Sequence, residues 1–284
     1  MNLAAITAFL REVAKEWSDD NALTLGAALA YYTIFSLAPL LVLVLAIAGL
    51  VFGRAAAQGE LVAQIQGAVG PAGAELIESM IEHASKPSSG LVATAISLVT
   101  MFFGASGVFG QLQGSLNQIW GATTVRRTGV KGQLQRRAAS FSMILAIGFL
   151  LLLSLAISAL ISGLHDIIDL YLTVPSQVLS LTNAAVSFMI VTALFAMIFK
   201  LLPDARIEWR DVWLGAFVTA LLFTVGKLAI GIYLGRAGVA SVYGAAGSLV
   251  LVLLWVYYSA QLLFIGAEFT EVYSRRFGSR RLEE

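Results

Sequence analysis

Charged residues are missing from this 284-residue chain over stretches that no soluble domain needs. Uncharged runs cover 33 residues at Asn21–Gly53, 39 at Pro87–Val125, 27 at Ala138–Leu164, 30 at Leu170–Phe199 and 31 at Ala237–Ala267. A sixth apolar stretch, Val212–Gly235, is broken by Lys227 alone. About 20 apolar residues in a helix cross the hydrocarbon core of a bilayer. The fold class expected is therefore all-α: a polytopic membrane protein with six transmembrane helices. Charged residues make up 12% of the chain, about half the share typical of a soluble domain.

The basic residues orient the spans. With the N-terminus inside, the inner segments hold Arg11, Lys15, Arg126, Arg127, Lys131, Arg136, Arg137, Lys200, Arg206, Arg210, Arg275, Arg276, Arg280 and Arg281, which is 14 of 18. Outer segments keep Arg54, Lys86 and Arg236, and Lys227 lies within a span. Such a bias marks the cytoplasmic side, and an even number of crossings puts both termini there. Ala55-Ala56-Ala57 resembles a cleavage site, but the run before it is far longer than a signal-peptide core of about 7–15 residues. The first span is read as a retained helix. The chain has no cysteine, so disulfides and thiolate metal sites are excluded.

Three parts follow from this reading. Residues 1–20 form an interfacial amphipathic helix, with Ile6, Phe9, Leu10, Val13 and Trp17 on one stripe. Ser18, Asp19, Asp20 and Asn21 supply capping groups where the chain turns into the membrane. Residues 21–271 form the six-helix domain, and 272–284 a basic cytoplasmic tail. Within the domain, residues 54–90 make an outer amphipathic segment of two short helices. Leu61, Ile65, Ala68 and Val69 line one; Leu76, Ile77, Met80 and Ile81 line the other; Gly70-Pro71-Ala72-Gly73 breaks them apart.

In the second span, Gly104, Gly107, Gly110 and Gly114 recur at a spacing that lets another helix approach closely. Gln111, Ser115 and Gln118 follow as one polar stripe toward the inner end, suited to a vestibule or to a helix end projecting from the membrane. The third span, about 138–163, and the fourth, about 181–202, carry little polar chemistry.

Three stretches stand out chemically. Leu25–Leu41 reads LGAALAYYTIFSLAPLL, with Tyr31, Tyr32, Ser36 and Pro39; Pro39 is expected to kink the first span. Leu202–Ala216 reads LPDARIEWRDVWLGA, an inner turn with Trp209, Arg210 and Trp213 at the interface. Tyr243–Phe269 reads YGAAGSLVLVLLWVYYSAQLLFIGAEF, with Tyr257, Tyr258, Gln261 and Glu268. Together these resemble the YihY/BrkB family of bacterial inner-membrane proteins over nearly the whole chain. The resemblance implies six helices, an inner-membrane location, and links to envelope integrity and lipid handling.

An old label for that family is ribonuclease BN. Metal-dependent RNA hydrolysis needs a cluster of His, Asp and Glu on the cytoplasmic side. The two histidines, His83 and His165, fall on outer segments, and Asp204, Glu208 and Asp211 read as interfacial ion pairs beside arginines. The basic inner loops are topogenic, so no nucleic-acid partner, enzyme activity, metal or cofactor is expected.

The function expected is a transporter or flippase of an amphiphilic, anionic envelope lipid, not driven by ATP on its own, since no P-loop is present. The alternative is a non-transporting scaffold or regulator of envelope assembly. Membrane lipids are the expected partners. Lys227, in the outer half of the fifth span, is the candidate contact for a lipid phosphate, with hydroxyls from Tyr233, Tyr243 or Tyr258. Tyr31, Tyr32, Ser36, Pro39 and Gln261 complete the candidate substrate site. Glu268, at the inner end of the last span, is expected to pair with Arg210 or Arg137.

Overall fold

The computed structural model describes residues 3–85, 107–122, 176–205, 207–236, 243 and 246–282. Their elements are α1 (Leu3–Asp19), α2 (Ala22–Phe52), α3 (Arg54–Val69), α4 (Pro71–Ser85), α5 (107–119), α6 (Ser176–Leu201), α7 (Trp209–Arg236) and α8 (Gly247–Arg276), closed by a 3-10 turn at Ser279–Leu282. No strand occurs among the described residues.

Three of these helices are long and apolar enough to cross a membrane: α6 over Ala184–Leu201, α7 over Trp209–Tyr233, and α8. A fourth crossing is available if α1 and α2, bent by 58° at their junction, act as one broken span. The expected third span and the opening residues of the second lie outside the described residues, as do Gly104 and Arg137.

The bend falls at Asp20–Asn21, where Asn21 adopts a left-handed backbone (φ 54°, ψ 41°). Asparagine tolerates that region better than most residues. Of the four expected capping residues, Asn21 takes the N-cap position without a side-chain cap bond. Its carbonyl accepts from the amides of Thr24 (2.8 Å) and Leu25 (3.1 Å), and its own amide donates to Ser18 O at 3.0 Å. α2 runs through Pro39 as one 31-residue helix. The sharp turn of the first span is at its entrance.

The break between the outer helices is where the sequence placed it. Gly70 has φ +81°, a conformation costly for other residues, and Pro71 opens α4 at the first helical position. The hairpin is packed against the spans. Ala57, Ile77 and Ile81 bury with Leu41 and Leu45 of α2 and Val252 of α8.

At the other end, Phe9 and Val13 of α1 bury against Val272, with Phe269 and Tyr273 packed alongside. Leu10 lies off this seam and is exposed. The polar flank of α1 also faces protein. Arg275 Nη2 holds Glu16 at 2.9 Å and Glu12 at 3.1 Å, while Arg276 Nη2 reaches Glu12 at 2.6 Å.

The closest helix contacts differ from those the glycine spacing suggested. Among the described residues Gly110 and Gly114 meet nothing within 4 Å, and Gly107 has ordinary contact with Tyr32 and Ser36. The tight seam joins α7 and α8 instead. A Cβ on Gly215 would lie 1.8 Å from Thr270 Oγ1, and one on Gly266 would lie 1.9 Å from Thr219 Oγ1. Each threonine is held by its own helix: Thr219 Oγ1 donates to Gly215 O at 2.7 Å and Thr270 Oγ1 to Gly266 O at 2.6 Å. Two glycine–threonine pairs thus interlock in opposite senses across one antiparallel seam.

Candidate functional site

Glu268 is the most buried carboxylate of the described residues, 1% exposed beside Asp211, likewise 1%. Two residues on, Thr270 points at Gly215 of α7. Two residues turn a helix by about 200°, so Glu268 faces away from α7 and toward the α1–α2 hinge. There it meets Asp20, within hydrogen-bonding reach of its carboxyl. Of the two expected partners, Arg210 at the start of α7 is exposed and makes no salt bridge with Glu268, and Arg137 lies outside the described residues.

Two amides frame the pair. Gln118 Nε2 of α5 donates to Asp20 O at 2.8 Å. Gln261, two turns before Glu268 on the same face of α8, donates to Ala22 O at 3.3 Å. A Cβ on Gly26 would lie 2.0 Å from Gln261 Nε2, so glycine makes room for this amide. Oε1 of Gln261 and Oε1 of Glu268 are buried without a donor. Burial pushes the Asp20 carboxyl above its ordinary value. Hydrogen bonds with Glu268 and Gln118 pull the other way, and the charges of Glu16 and Asp19 push it further up.

The nearby arginines are committed elsewhere. Arg275 and Arg276 hold Glu12 and Glu16, and Glu271 lies 3.7 Å from Arg275 and 3.6 Å from Arg280. The acidic residues expected in interfacial ion pairs are also engaged by neutral groups. Asp204 accepts from Asn117 Nδ2 at 2.9 Å, and its amide donates to Asn117 Oδ1 at 2.7 Å. Asp211 accepts from the amide (2.8 Å) and hydroxyl (2.7 Å) of Ser279, folding the chain after α8 back under α7. No group of three or more His, Asp or Glu could hold a metal ion among the described residues.

The residues singled out for substrate contact do not form one cluster. Lys227 is exposed on α7, one turn from exposed Thr224 and Gly231 on the same face. It makes no ion pair or hydrogen bond among the described residues. Of its expected helpers, Tyr258 packs on α7: its hydroxyl lies 2.8 Å from where a Cβ on buried Gly226 would be. Tyr233 and Tyr243 are exposed. On α2, Tyr31 and Tyr32 are exposed and their rings meet edge-on at 5.9 Å, whereas Ser36 is buried near Gly107. Gln261 belongs to the hinge and not to a Lys227 site. The vestibule stripe is likewise engaged in protein contacts: Gln111 donates to Ser115 at 3.3 Å, and Gln118 reaches the hinge.

Asp20 and Asn117 are the participants that the sequence did not single out for a site. Asp20 reads as one of several capping groups, and only its meeting with Glu268 distinguishes it.

The profile of the family described as "Virulence factor BrkB" matches residues 13–284. The chain belongs to this family. BrkB-family membership agrees with the similarity to a "UPF0761 membrane protein" of Verminephrobacter eiseniae, 29% identical over 251 residues, covering 86% of this chain and 57% of that protein. A UPF0761 membrane protein of Mannheimia succiniciproducens is 28% identical over 264 residues, covering 89% and 85%. The protein YihY of Salmonella typhimurium is 30% identical over 200 residues, covering 68% and 62%. The chain therefore spans little more than half of the first relative and most of the second. No solved structure matches it.

Proposed function

We propose that this BrkB-family membrane protein is a carrier or flippase for an amphiphilic, anionic envelope lipid in the bacterial inner membrane, with both termini cytoplasmic. The observation that carries the reading is the broken entrance to the first span, where Asp20 meets buried Glu268 between apolar helices. Ionisable groups inside a membrane bundle are costly and mark substrate or ion pathways. A backbone break beside them supplies a place where helices can part. Lys227 supports the anionic character of the cargo: an exposed ammonium on a membrane-spanning helix is stabilised by a phosphate at the head-group level. The chain has no P-loop, so movement runs down a gradient.

A second reading, a scaffold of envelope assembly, draws on the interlocked glycine–threonine seam, which joins α7 and α8 with no room between them. One experiment separates the two. The full chain is reconstituted in liposomes carrying a labelled anionic phospholipid in one leaflet, and its exposure to an impermeant quencher is followed. A carrier accelerates loss of leaflet asymmetry over empty liposomes, more for anionic than for zwitterionic lipid. Equal rates with and without protein reject transport and leave the scaffold.

A further inference from the structure

The meeting of Asp20 and Glu268 brings together two carboxyls in a place where charge is hard to sustain. Glu268 is 1% exposed, and its Oε1 has no donor when both groups are ionised. Two carboxylates at hydrogen-bonding reach repel each other, and the repulsion grows in a low dielectric. One proton placed between them removes the repulsion and converts the contact into a hydrogen bond. Among the described residues no basic side chain is bound to either acid. The described charges that weigh most on the pair are Glu16 and Asp19 of α1 and Glu271 of α8, all acidic. From α5 comes only the neutral amide of Gln118. Arg275, Arg276 and Arg280 are bound to Glu12, Glu16 and Glu271.

We propose that Asp20 and Glu268 form one proton-binding site, and that loss of its proton to water loosens the α1–α2 hinge from α8. The bound site carries one negative charge over two carboxyls and ties the hinge to the last helix. The empty site carries two negative charges and pushes them apart. Gln261 on Ala22 and Gln118 on Asp20 are the contacts that then bear the strain. Repulsion between the two ionised carboxyls fixes the sign, because the proton that removes it is bound more tightly in the tied state. A carboxyl raised in the folded state stabilises it at low pH and loses that contribution as pH climbs through the raised value. The tied hinge is therefore the low-pH form. Use of this proton to drive lipid movement rests on the carrier reading; the site itself does not.

The test uses the full chain in lipid nanodiscs. Infrared difference spectroscopy detects a protonated carboxyl by a carbonyl stretch that shifts on deuteration. At neutral pH the wild type should show one such band, absent in Glu268→Gln, absent or displaced in Asp20→Asn, and kept in Glu271→Gln, whose carboxylate is ion-paired. Gln at 268 preserves both shape and hydrogen bond, and Asn at 20 gives a second variant should the first not fold. Hydrogen exchange at residues 21–25, compared with Glu268→Gln at each pH, should rise several-fold in the wild type as the band disappears. Absence of the band at neutral pH, or its survival in both variants, overturns the site; a sodium ion bridging two carboxylates would give that absence. An unchanged exchange ratio overturns the loosening. Wild-type liposomes that move no lipid would reject the carrier reading while the spectra still decide the proton.

Discussion

Replacing Gly266 by alanine tests the α7–α8 seam with a single methyl group. The new Cβ would sit 1.9 Å from Thr219 Oγ1 and 2.7 Å from its Cγ2, where ordinary contact begins at 3.4 Å. Thr219 is fully buried, and its hydroxyl is tied to Gly215 O at 2.7 Å. Turning it aside breaks that bond and swings the branched methyl toward the same place. The helices must separate, and separation pulls on the Gly215–Thr270 pair as well. Overpacking of this kind costs about 1–3 kcal/mol, while alanine in a helix interior is favoured over glycine by about 1 kcal/mol. With a rigid obstacle at so short a distance the upper end applies, leaving a net loss of about 2 kcal/mol. The measurement is reversible unfolding of the full chain in mixed micelles, followed by tryptophan fluorescence. Thr219→Ala removes the obstructing atoms, so Gly266→Ala should cost much less in that background. A Gly266→Ala protein as stable as the wild type, or more so, would leave only helix propensity at work and refute the close approach.

Further outcomes are expected. Single cysteines introduced into this cysteine-free chain should be labelled by an impermeant reagent from outside at Ser88 and not at Thr128; the reverse pattern inverts the topology. Lys227→Met should abolish lipid movement in liposomes with the protein still folded, and Lys227→Arg should keep part of it. Normal activity in the methionine variant removes Lys227 from the pathway. Asp211→Ala takes away the acceptor of the Ser279 amide and hydroxyl, at a cost of about 1–3 kcal/mol to local closure. Tryptic cleavage after Arg280 should then be faster than in the wild type, and an unchanged rate would mean the latch is not closed in solution.

The features set by local sums were legible in the sequence. Burying about 20 apolar residues in lipid needs no partner to be specified, so α6, α7 and α8 were visible as long apolar runs, that of α7 broken by Lys227 alone. Glycine and proline act on their own backbone, so the break at Gly70–Pro71 could be placed. The stripe of Phe9 and Val13 is a helical period, although its partner in Val272 was not in view. What the tertiary structure decided are relations that depend on how each helix is rotated about its axis. Among the described residues Gly110 and Gly114 on α5 meet nothing, whereas irregularly placed Gly215 and Gly266 each receive a threonine. The bend between α1 and α2 falls where Asn21 accepts a left-handed backbone. Glu268 could be given an arginine on charge alone, yet a difference of two positions from Thr270 turns it to the hinge. Hydropathy fixes which segments enter the membrane, but a helix in lipid is free to rotate until side-chain contacts stop it. Those contacts, between residues far apart in the chain, turned Glu268 of the last helix toward Asp20 at the hinge.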